Sequence, residues 1–323
     1  MKTNSRISNF PRLSKTEPLL PNQSSGRYIN RELSLISFNE RVLSLSHEPS
    51  IPILERLKYL CIVANNLDEL FEIRVAGLKA RSHEELENSY LPDGLTIKRT
   101  LDILGKRTQS LVQLQYKILN QSVIPELKKE GINLLDFKEL NRQQKRWSST
   151  YFKNNVLPIL TPLGLDPLHP FPKVLNKSLN FIIEMRGKDS YGRKGRVAIV
   201  QAPRLLSRII EIPRKNDELS ITFINLSSLI EAHASEIFPG MEILGIFQFR
   251  VTRNSDLYVD DEEVTDLRQA LKGELSQRNY GDAVRIETDN SISNFCLDYL
   301  LTEFKLEKKD CYLINGPVNL GRL

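Results

Sequence analysis

The sequence predicts a multidomain fold, an N-terminal all-α antiparallel helical bundle followed by an α+β domain. Apolar side chains recur every three or four residues between residues 28 and 131. After Gly131, short runs rich in β-branched and aromatic residues are mixed with helical patterns. The 323 residues are enough for two such cores. We therefore expect a helical domain at 28–131 and an α+β domain at 132–313, with a tail at 1–27 and a separate segment at 314–323.

Three helices are predicted in the helical domain, at 31–46, about 52–81 and about 96–127. Pro52 suits the first position of the second helix, because its missing N–H would have no partner there. Pro125 should kink or divide the third helical segment, and Gly131 is placed to cap its end. The second helix carries the clearest apolar stripe, which consists of Ile53, Leu57, Leu60, Ala64, Leu67, Phe71, Val75 and Leu78.

The second domain begins with a predicted helix at 140–157 and a proline-rich loop at 161–173. Further helices are predicted at 260–278 and 291–305. The strand-like runs lie at 179–185, 196–202, 221–226, 243–253, 283–288 and 311–314. Mixed strands and helices in this order are typical of an α+β domain.

Composition indicates a soluble, cytoplasmic protein, since no run approaches 18 apolar residues and no secretory signal is present. Residues 1–27 are rich in Ser, Asn and Pro, which predicts a disordered tail, with a transit peptide as the alternative. Cys61, Cys296 and Cys311 are widely spaced, which favours reduced thiols over disulfides or a metal site. The net charge of +5 suits a polyanionic partner without choosing among nucleic acid, nucleotide and polyphosphate.

No residue can be assigned a catalytic or metal-binding role from spacing. The chain contains neither a Walker loop nor a GxGxxG motif, and none of its four histidines has a His or Cys partner at ligand spacing. His169, in a proline-rich loop, is the most suggestive histidine, although a structural role is favoured. Trp147 could stack a base, but a core anchor is favoured. The basic residues of the first two helices could line a phosphate groove, but a solvated face paired with acids such as Asp68 and Glu72 is favoured.

Two adjacent asparagines, Asn65 and Asn66, interrupt the good helix formers of the second helix. A side-chain amide offers a donor and an acceptor together and so matches the edge of an adenine. Three structural alternatives are a polar contact between helices, a kink, and a cap at a break in the helix. The residues themselves leave these alternatives open.

Several longer segments together resemble one known family, the bacterial polyphosphate kinases. They are YINRELSLISFNERVLSLS, IPILERLKYLCIVANNLDELFEIRVAGLK, ILTPLGLDPLHPFPKVLNKSLNF, FQFRVTRNSDLYVDDEEVTDLRQALKGELSQRNYGDAVRIE and INGPVNLGRL. The resemblance covers nearly everything from Tyr28 to Leu323 in order, and it implies the N-terminal helical and middle domains of that family. Leu35 and Leu70 stand where the family usually has a tryptophan and a phenylalanine.

The resemblance implies reversible transfer of the terminal phosphate of ATP to polyphosphate. It implies that Asn66 contacts the adenine, while Asn65 has no role that can be transferred. In the family, a phosphohistidine and magnesium-binding arginines belong to two C-terminal domains similar to phospholipase D. Those domains carry a His-x-Lys signature that no histidine here matches. We therefore expect this chain to be inactive alone and residues 314–323 to approach the first of those domains.

The resemblance also implies ATP, ADP and polyphosphate as ligands, Mg²⁺ bound outside this chain, a homo-oligomer and no nucleic acid. Peripheral membrane association is implied by the family only. Two other functions stay open: a stand-alone binding or regulatory module, and a basic scaffold for nucleic acid.

Overall fold

A computed structural model of the chain describes residues 28–84, 90–165, 171–187, 196–214, 219–255 and 281–323. The helices are α1 (Arg31–Leu45), α2 (Ile53–Glu69), α3 (Ala76–Glu84), α4 (Ile97–Ile118), α5 (Ile124–Lys129), α6 (Arg142–Tyr151), α7 (Leu226–Ala232), α8 (Ala234–Ile237) and α9 (Asn294–Glu303). The strands are β1 (Ile132–Leu135), β2 (Thr161–Gly164), β3 (Asn180–Arg186), β4 (Val197–Gln201), β5 (Ile209–Ile212), β6 (Ile221–Asn225), β7 (Glu242–Arg253), β8 (Ala283–Asp289) and β9 (Cys311–Ile314). The first part of the chain contains helices alone, and the second part contains strands mixed with helices, so the predicted fold class is confirmed.

The helical domain is built on two long helical segments, each interrupted by a π-helical turn. A π-helical turn at Leu70–Val75 joins α2 to α3, so the predicted helix at 52–81 is continuous except for this wider turn. A second π-helical turn, Leu119–Val123, joins α4 to α5. It includes Gln121, four residues before Pro125, whose carbonyl would meet the proline ring in a regular helix. The predicted irregularity therefore lies just before the proline.

Side chains from all the long helices form one core. Asn30 caps α1 and Thr96 caps α4 by accepting hydrogen bonds from Leu33 N and Arg99 N, at 3.0 and 3.2 Å. The predicted apolar stripe of α2 is largely buried, and it packs with the buried face of α4. The most deeply buried members are Leu60, Val63, Leu67, Leu104 and Leu111.

A six-stranded sheet forms the centre of the second domain, in the order β2-β4-β3-β7-β8-β9. Neighbouring strands are antiparallel except for β8 and β9, which are parallel. Both faces are buried: Ile182 and Ile199 share a core with α9, whereas Phe181 and Val200 share the core that includes the helical domain. A smaller sheet has the order β1-β6-β5.

Some predicted boundaries were wrong. Residues 161–164 were expected in a loop, yet they form β2 at the edge of the large sheet. An edge strand tolerates Pro162, because one side of the strand has no neighbour that needs a backbone N–H donor. Strands β1 and β5 and helices α7 and α8 were not predicted. The predicted helix at 260–278, the tail at 1–27 and His169 lie outside the described residues. No helix in the described ranges has the length and apolarity needed to cross a membrane.

Candidate functional site

The segment NNLDELFE, residues 65–72, distributes its polar side chains among three parts of the molecule. We call it the junction segment. Asn66 faces α1, Asp68 and Glu72 face the second domain, and Asn65 lies against the C-terminal turn at Gly321. Helical geometry explains the division, because residues one or two apart project from different sides of a helix.

Asn66 is half-buried and held in one orientation by the first helix. Its Nδ2 donates to Asn39 Oδ1 at 2.9 Å, and the buried Asn39 donates to Leu35 O at 2.9 Å. This is the polar contact between helices that the sequence left as one alternative. The cap alternative is wrong, because α2 runs through both asparagines. Within the described ranges, no hydrogen bond uses Asn66 Oδ1, so this oxygen can accept one from a ligand.

Asp68 belongs to a buried cluster of two acids and two arginines, which we call the junction cluster. Arg250 Nη1 donates to Asp68 Oδ2 at 2.8 Å, and Arg285 Nη2 forms a short contact with Asp68 Oδ1. Arg250 also pairs closely with Glu287, and Arg285 Nη2 lies 3.4 Å from Glu287 Oε2. All four side chains are 7% exposed or less. Their charges cancel, and the cluster joins α2 to β7 and β8.

The electrostatics of the junction cluster favour the charged forms of Glu287 and Arg250. Burial raises the pKa of Glu287, but Arg250 and Arg285 lower it further, so this pKa lies below its ordinary value. Burial lowers the pKa of the Arg250 guanidinium, but Asp68 and Glu287 outweigh that effect and raise it. The pKa values of Glu287 and Arg250 are thus both shifted in the direction that keeps these two side chains charged.

Aromatic and polar contacts extend this junction. The Arg285 guanidinium lies 4.5 Å from the ring centre of Phe71, and Phe71 packs edge-on against Tyr312 at 5.6 Å. Glu72 accepts hydrogen bonds from Asn176 Nδ2 and Lys177 Nζ at 2.6 and 2.7 Å. The expectation that Asp68 and Glu72 lie on a solvated helix face is therefore wrong, because residues of the second domain, distant in sequence, supply their partners.

The basic residues of the first helices also diverge from the solvated-face expectation. Lys58 and Glu55 form an exposed pair, as expected. Arg56, however, is buried and pairs with Glu126 at 2.8 Å. Lys79 donates to Asp310 Oδ1 and Val284 O, both at 2.7 Å. Both side chains join separate elements, and only Lys79 also lines a cleft.

A cleft of about 900 Å³ lies between α3, α4 and the segment before β9. Phe71 and Tyr312 contribute apolar surface to it, and its basic side chains outnumber its acidic ones. The charged residues that line it are Lys79, Arg81, Lys98, Asp102, Lys106, Asp282, Lys305, Glu307, Lys309 and Asp310. Asn66 does not line this cleft, so the structure does not bring the predicted adenine contact and the cleft together.

His233, Trp147 and the three cysteines can each be compared with the role predicted from the sequence. His233 is buried, stacked on Phe152 at 4.5 Å, and its ring nitrogens lie 2.9 and 3.0 Å from Leu229 O and Ser149 Oγ. Trp147 stacks on Tyr151 and packs against the core, as favoured from the sequence. All three cysteines are free thiols. No group of three His, Cys, Asp or Glu residues in the described ranges could hold a metal ion.

Comparison with known proteins assigns the two domains. Residues 28–135 match the model of the polyphosphate kinase N-terminal domain, and residues 143–323 match that of the polyphosphate kinase middle domain. The polyphosphate kinase of Paraburkholderia phytofirmans is 45% identical over 295 residues, which are 91% of this chain and 43% of that protein. That of Burkholderia vietnamiensis is 44% identical over 301 residues, 93% of this chain and 44% of that protein.

A solved structure shares the fold. The crystal structure of the polyphosphate kinase from Porphyromonas gingivalis superposes with a TM-score of 0.74 at 22% identity, over 91% of this chain and 40% of that chain. The chain thus spans less than half the length of the relatives it matches. With matches to both domain models, in order and covering most of its length, the chain belongs to the polyphosphate kinase family.

Proposed function

We propose that these domains are part of an enzyme that reversibly transfers the terminal phosphate of ATP to inorganic polyphosphate. The observation that carries the proposal is the orientation of Asn66. Asn39 of α1 fixes its amide by a 2.9 Å hydrogen bond, and the amide oxygen makes no hydrogen bond within the described ranges. An amide held in this way can accept a hydrogen bond from an adenine amino group without first being ordered.

In this proposal the chain supplies nucleotide recognition and contacts between subunits, whereas chemistry belongs to sequence outside it. Transfer would proceed through a phosphohistidine, yet no histidine here is followed two residues later by lysine. The acidic and histidine side chains described do not form a magnesium site, so we assign no step in this chain to Mg²⁺. We expect a homo-oligomer that works in the cytoplasm and binds ATP, ADP and polyphosphate.

Labelled ATP tests the division of labour. The purified chain is incubated with Mg²⁺ and γ-labelled ATP, and acid-labile phosphate on the protein and labelled polyphosphate are measured. We expect neither product. If the protein does become labelled, a histidine of this chain carries chemistry and the division is wrong.

Nucleotide selectivity tests Asn66. We expect Asn66→Ala to weaken ATP binding about tenfold, the effect of one or two hydrogen bonds, and to change GTP binding much less. Equilibrium binding of both nucleotides gives the ratio. Asn155→Ala, at an exposed asparagine on the turn after α6, is the matched control and should leave the ratio unchanged.

Asn39→Ala separates contact from positioning. This variant loses the hydrogen bond to Asn66 but keeps the amide, so we expect a smaller loss of selectivity than Asn66→Ala gives. An unchanged ATP-to-GTP ratio in Asn66→Ala would show that this residue does not read the base.

A further inference from the structure

Arg208, whose guanidinium has no hydrogen-bond partner in the described part of the chain, lies at the edge of the small sheet. Arg208 immediately precedes β5, and its carbonyl accepts a hydrogen bond from Leu226 N at 2.9 Å. All three nitrogens of its guanidinium are shielded from solvent, and none forms a hydrogen bond within the described ranges. An arginine carries five N–H donors, so this group leaves its whole bonding capacity unused.

Other buried arginines in the described parts of the chain are treated differently. Arg56 faces Glu126, and Arg250 and Arg285 both face Asp68. A buried guanidinium normally needs a carboxylate or several carbonyl groups, because removing a charge from water is costly. Arg208 has no such carboxylate or carbonyl partner within the described ranges.

The charged neighbours of Arg208 are also cations. Burial lowers the pKa of its guanidinium to about 10, and the charges of Arg322 and Arg204 lower it in the same direction. The group therefore remains charged at neutral pH. Arg204 and Arg322 are themselves exposed, and no carboxylate in the described ranges pairs with any of the three. We call Arg204, Arg208 and Arg322 the arginine cluster.

The surrounding fold holds the side chain of Arg204 and positions the backbone next to Arg322. Arg204 donates to Asn176 O at 2.6 Å, and Asn176 also binds Glu72 of the junction segment. Arg322 follows Gly321, where a β-carbon would collide with the side-chain oxygen of Asn65, so the C-terminal turn lies directly on α2. The fold therefore connects both residues to the junction segment, Arg204 through Asn176 and Arg322 through Gly321.

We infer that the arginine cluster binds a condensed-phosphate chain. Guanidinium groups pair bidentately with phosphate oxygens, and a polyphosphate presents a negative charge on each successive unit, so one chain can engage several arginines. Arg208 loses no hydrogen bond on turning toward such a ligand, because it makes none where it lies. The choice of a condensed phosphate as the ligand rests on the proposed function. The unmatched positive charge of Arg208 is observed independently of that function.

Equilibrium dialysis of the whole 323-residue chain against labelled tripolyphosphate tests the inference. We expect Arg208→Gln to weaken binding about tenfold or more, as expected for loss of charged hydrogen bonds, and Arg322→Gln to weaken it by a smaller factor. Arg146→Gln removes one exposed positive charge from α6 and is the matched control, with an expected change of about twofold or less. Arg208→Lys keeps the positive charge but loses the paired donors of the guanidinium. Its affinity for tripolyphosphate should therefore lie between those of Arg208→Gln and the Arg146→Gln control.

Orthophosphate competition separates the ligand classes. We expect orthophosphate to displace tripolyphosphate only at far higher concentration, because it can engage fewer arginines at once. Equal competition per molecule would overturn the assignment to a condensed chain. So would absence of tripolyphosphate binding by the unsubstituted chain, or equal binding by Arg208→Gln and Arg146→Gln. Arg322 is exposed, so Arg322→Gln tests the site even if Arg208→Gln fails to fold.

The two proposals fail separately. Loss of adenine selectivity in Asn66→Ala with unchanged tripolyphosphate binding in Arg208→Gln would overturn the arginine site alone. Tripolyphosphate binding that depends on Arg208, in a chain that shows no preference for ATP over GTP, would support the site and count against the proposed function.

Discussion

The junction cluster and the arginine cluster both place a shielded guanidinium beside other charged side chains, but only in the first do the positive and negative charges balance. Asp68 and Glu287 match Arg250 and Arg285, and all four are nearly inaccessible. The arginine cluster contains only cations, and the guanidinium of Arg208 has no partner in the described ranges. A balanced cluster can serve to join two domains, whereas an unbalanced one is better explained by a ligand or partner that supplies the missing charge.

The largest expected effect comes from breaking the balance of the junction cluster. Asp68→Ala would leave two buried arginines with one acid between them. We expect the free energy of unfolding to fall by about 3–5 kcal/mol, the typical cost of removing one member of a buried charge network. Urea unfolding followed by circular dichroism measures the change.

The neighbouring Glu69 is the matched control for Asp68, since it is exposed on the same helix. Glu69→Ala should change the free energy of unfolding by about 0.5 kcal/mol or less. A loss below about 1 kcal/mol in Asp68→Ala would mean that the cluster contributes little to joining the domains.

A half-buried acid offers a contrasting case, because its acidic neighbours and its burial favour the protonated form. Burial raises the pKa of Glu231 to about 7, Asp289 and Asp136 also raise it, and a 2.7 Å hydrogen bond from Gln248 and the charge of Lys138 oppose the shift. Between pH 4.5 and about 7 the folded chain keeps a proton that the unfolded chain has released, so stability falls as the pH rises through this interval.

Glu231→Gln removes that dependence while keeping an oxygen for Gln248. We expect the variant to be about 3 kcal/mol more stable than the unsubstituted chain at pH 8 and equally stable near pH 4.5, a difference set by the raised pKa. Unfolding curves at both pH values measure it, with Glu242→Gln at an exposed strand end as the control. Equal stabilisation at both pH values would show that a proton at Glu231 is not responsible.

Sequence reasoning predicted the fold class and most elements because they depend on local patterns. The apolar stripe that contains Leu60 and Leu67 has helical spacing, and the runs that became β3 and β7 are rich in branched and aromatic residues. Edge strand β2 contains a proline and only four residues, so its pattern resembles a loop. The local spacing of apolar residues predicts whether a segment forms a helix or a strand, but it does not predict which segments pack against each other.

The clusters could not be predicted in this way. Arg250 and Arg285 are 182 and 217 residues from Asp68 in sequence, and helical spacing offers Asp68 only nearer partners. Asn66 was singled out by a family resemblance, and the structure adds Asn39, 27 residues away, as the group that orients it. Arg208 carried no sequence signal, because a missing partner is a property of the folded chain.

The smallest expected effect has the opposite sign to the largest, and it sharpens the comparison most directly. Arg208→Met keeps an apolar stem and removes a shielded charge that has no partner, so we expect the free energy of unfolding to rise by about 1 kcal/mol. Arg250→Met should instead lower it by about 3 kcal/mol, because Asp68 and Glu287 would lose a shared cation.

Arg142→Met, at an exposed position on α6, is the control for the change of residue type. Thermal unfolding of the three variants without phosphate compares them, and a loss of more than about 1 kcal/mol in Arg208→Met would mean that the folded chain itself stabilises this charge. Stabilisation together with weaker tripolyphosphate binding would instead show that Arg208 is kept for its ligand at the expense of stability.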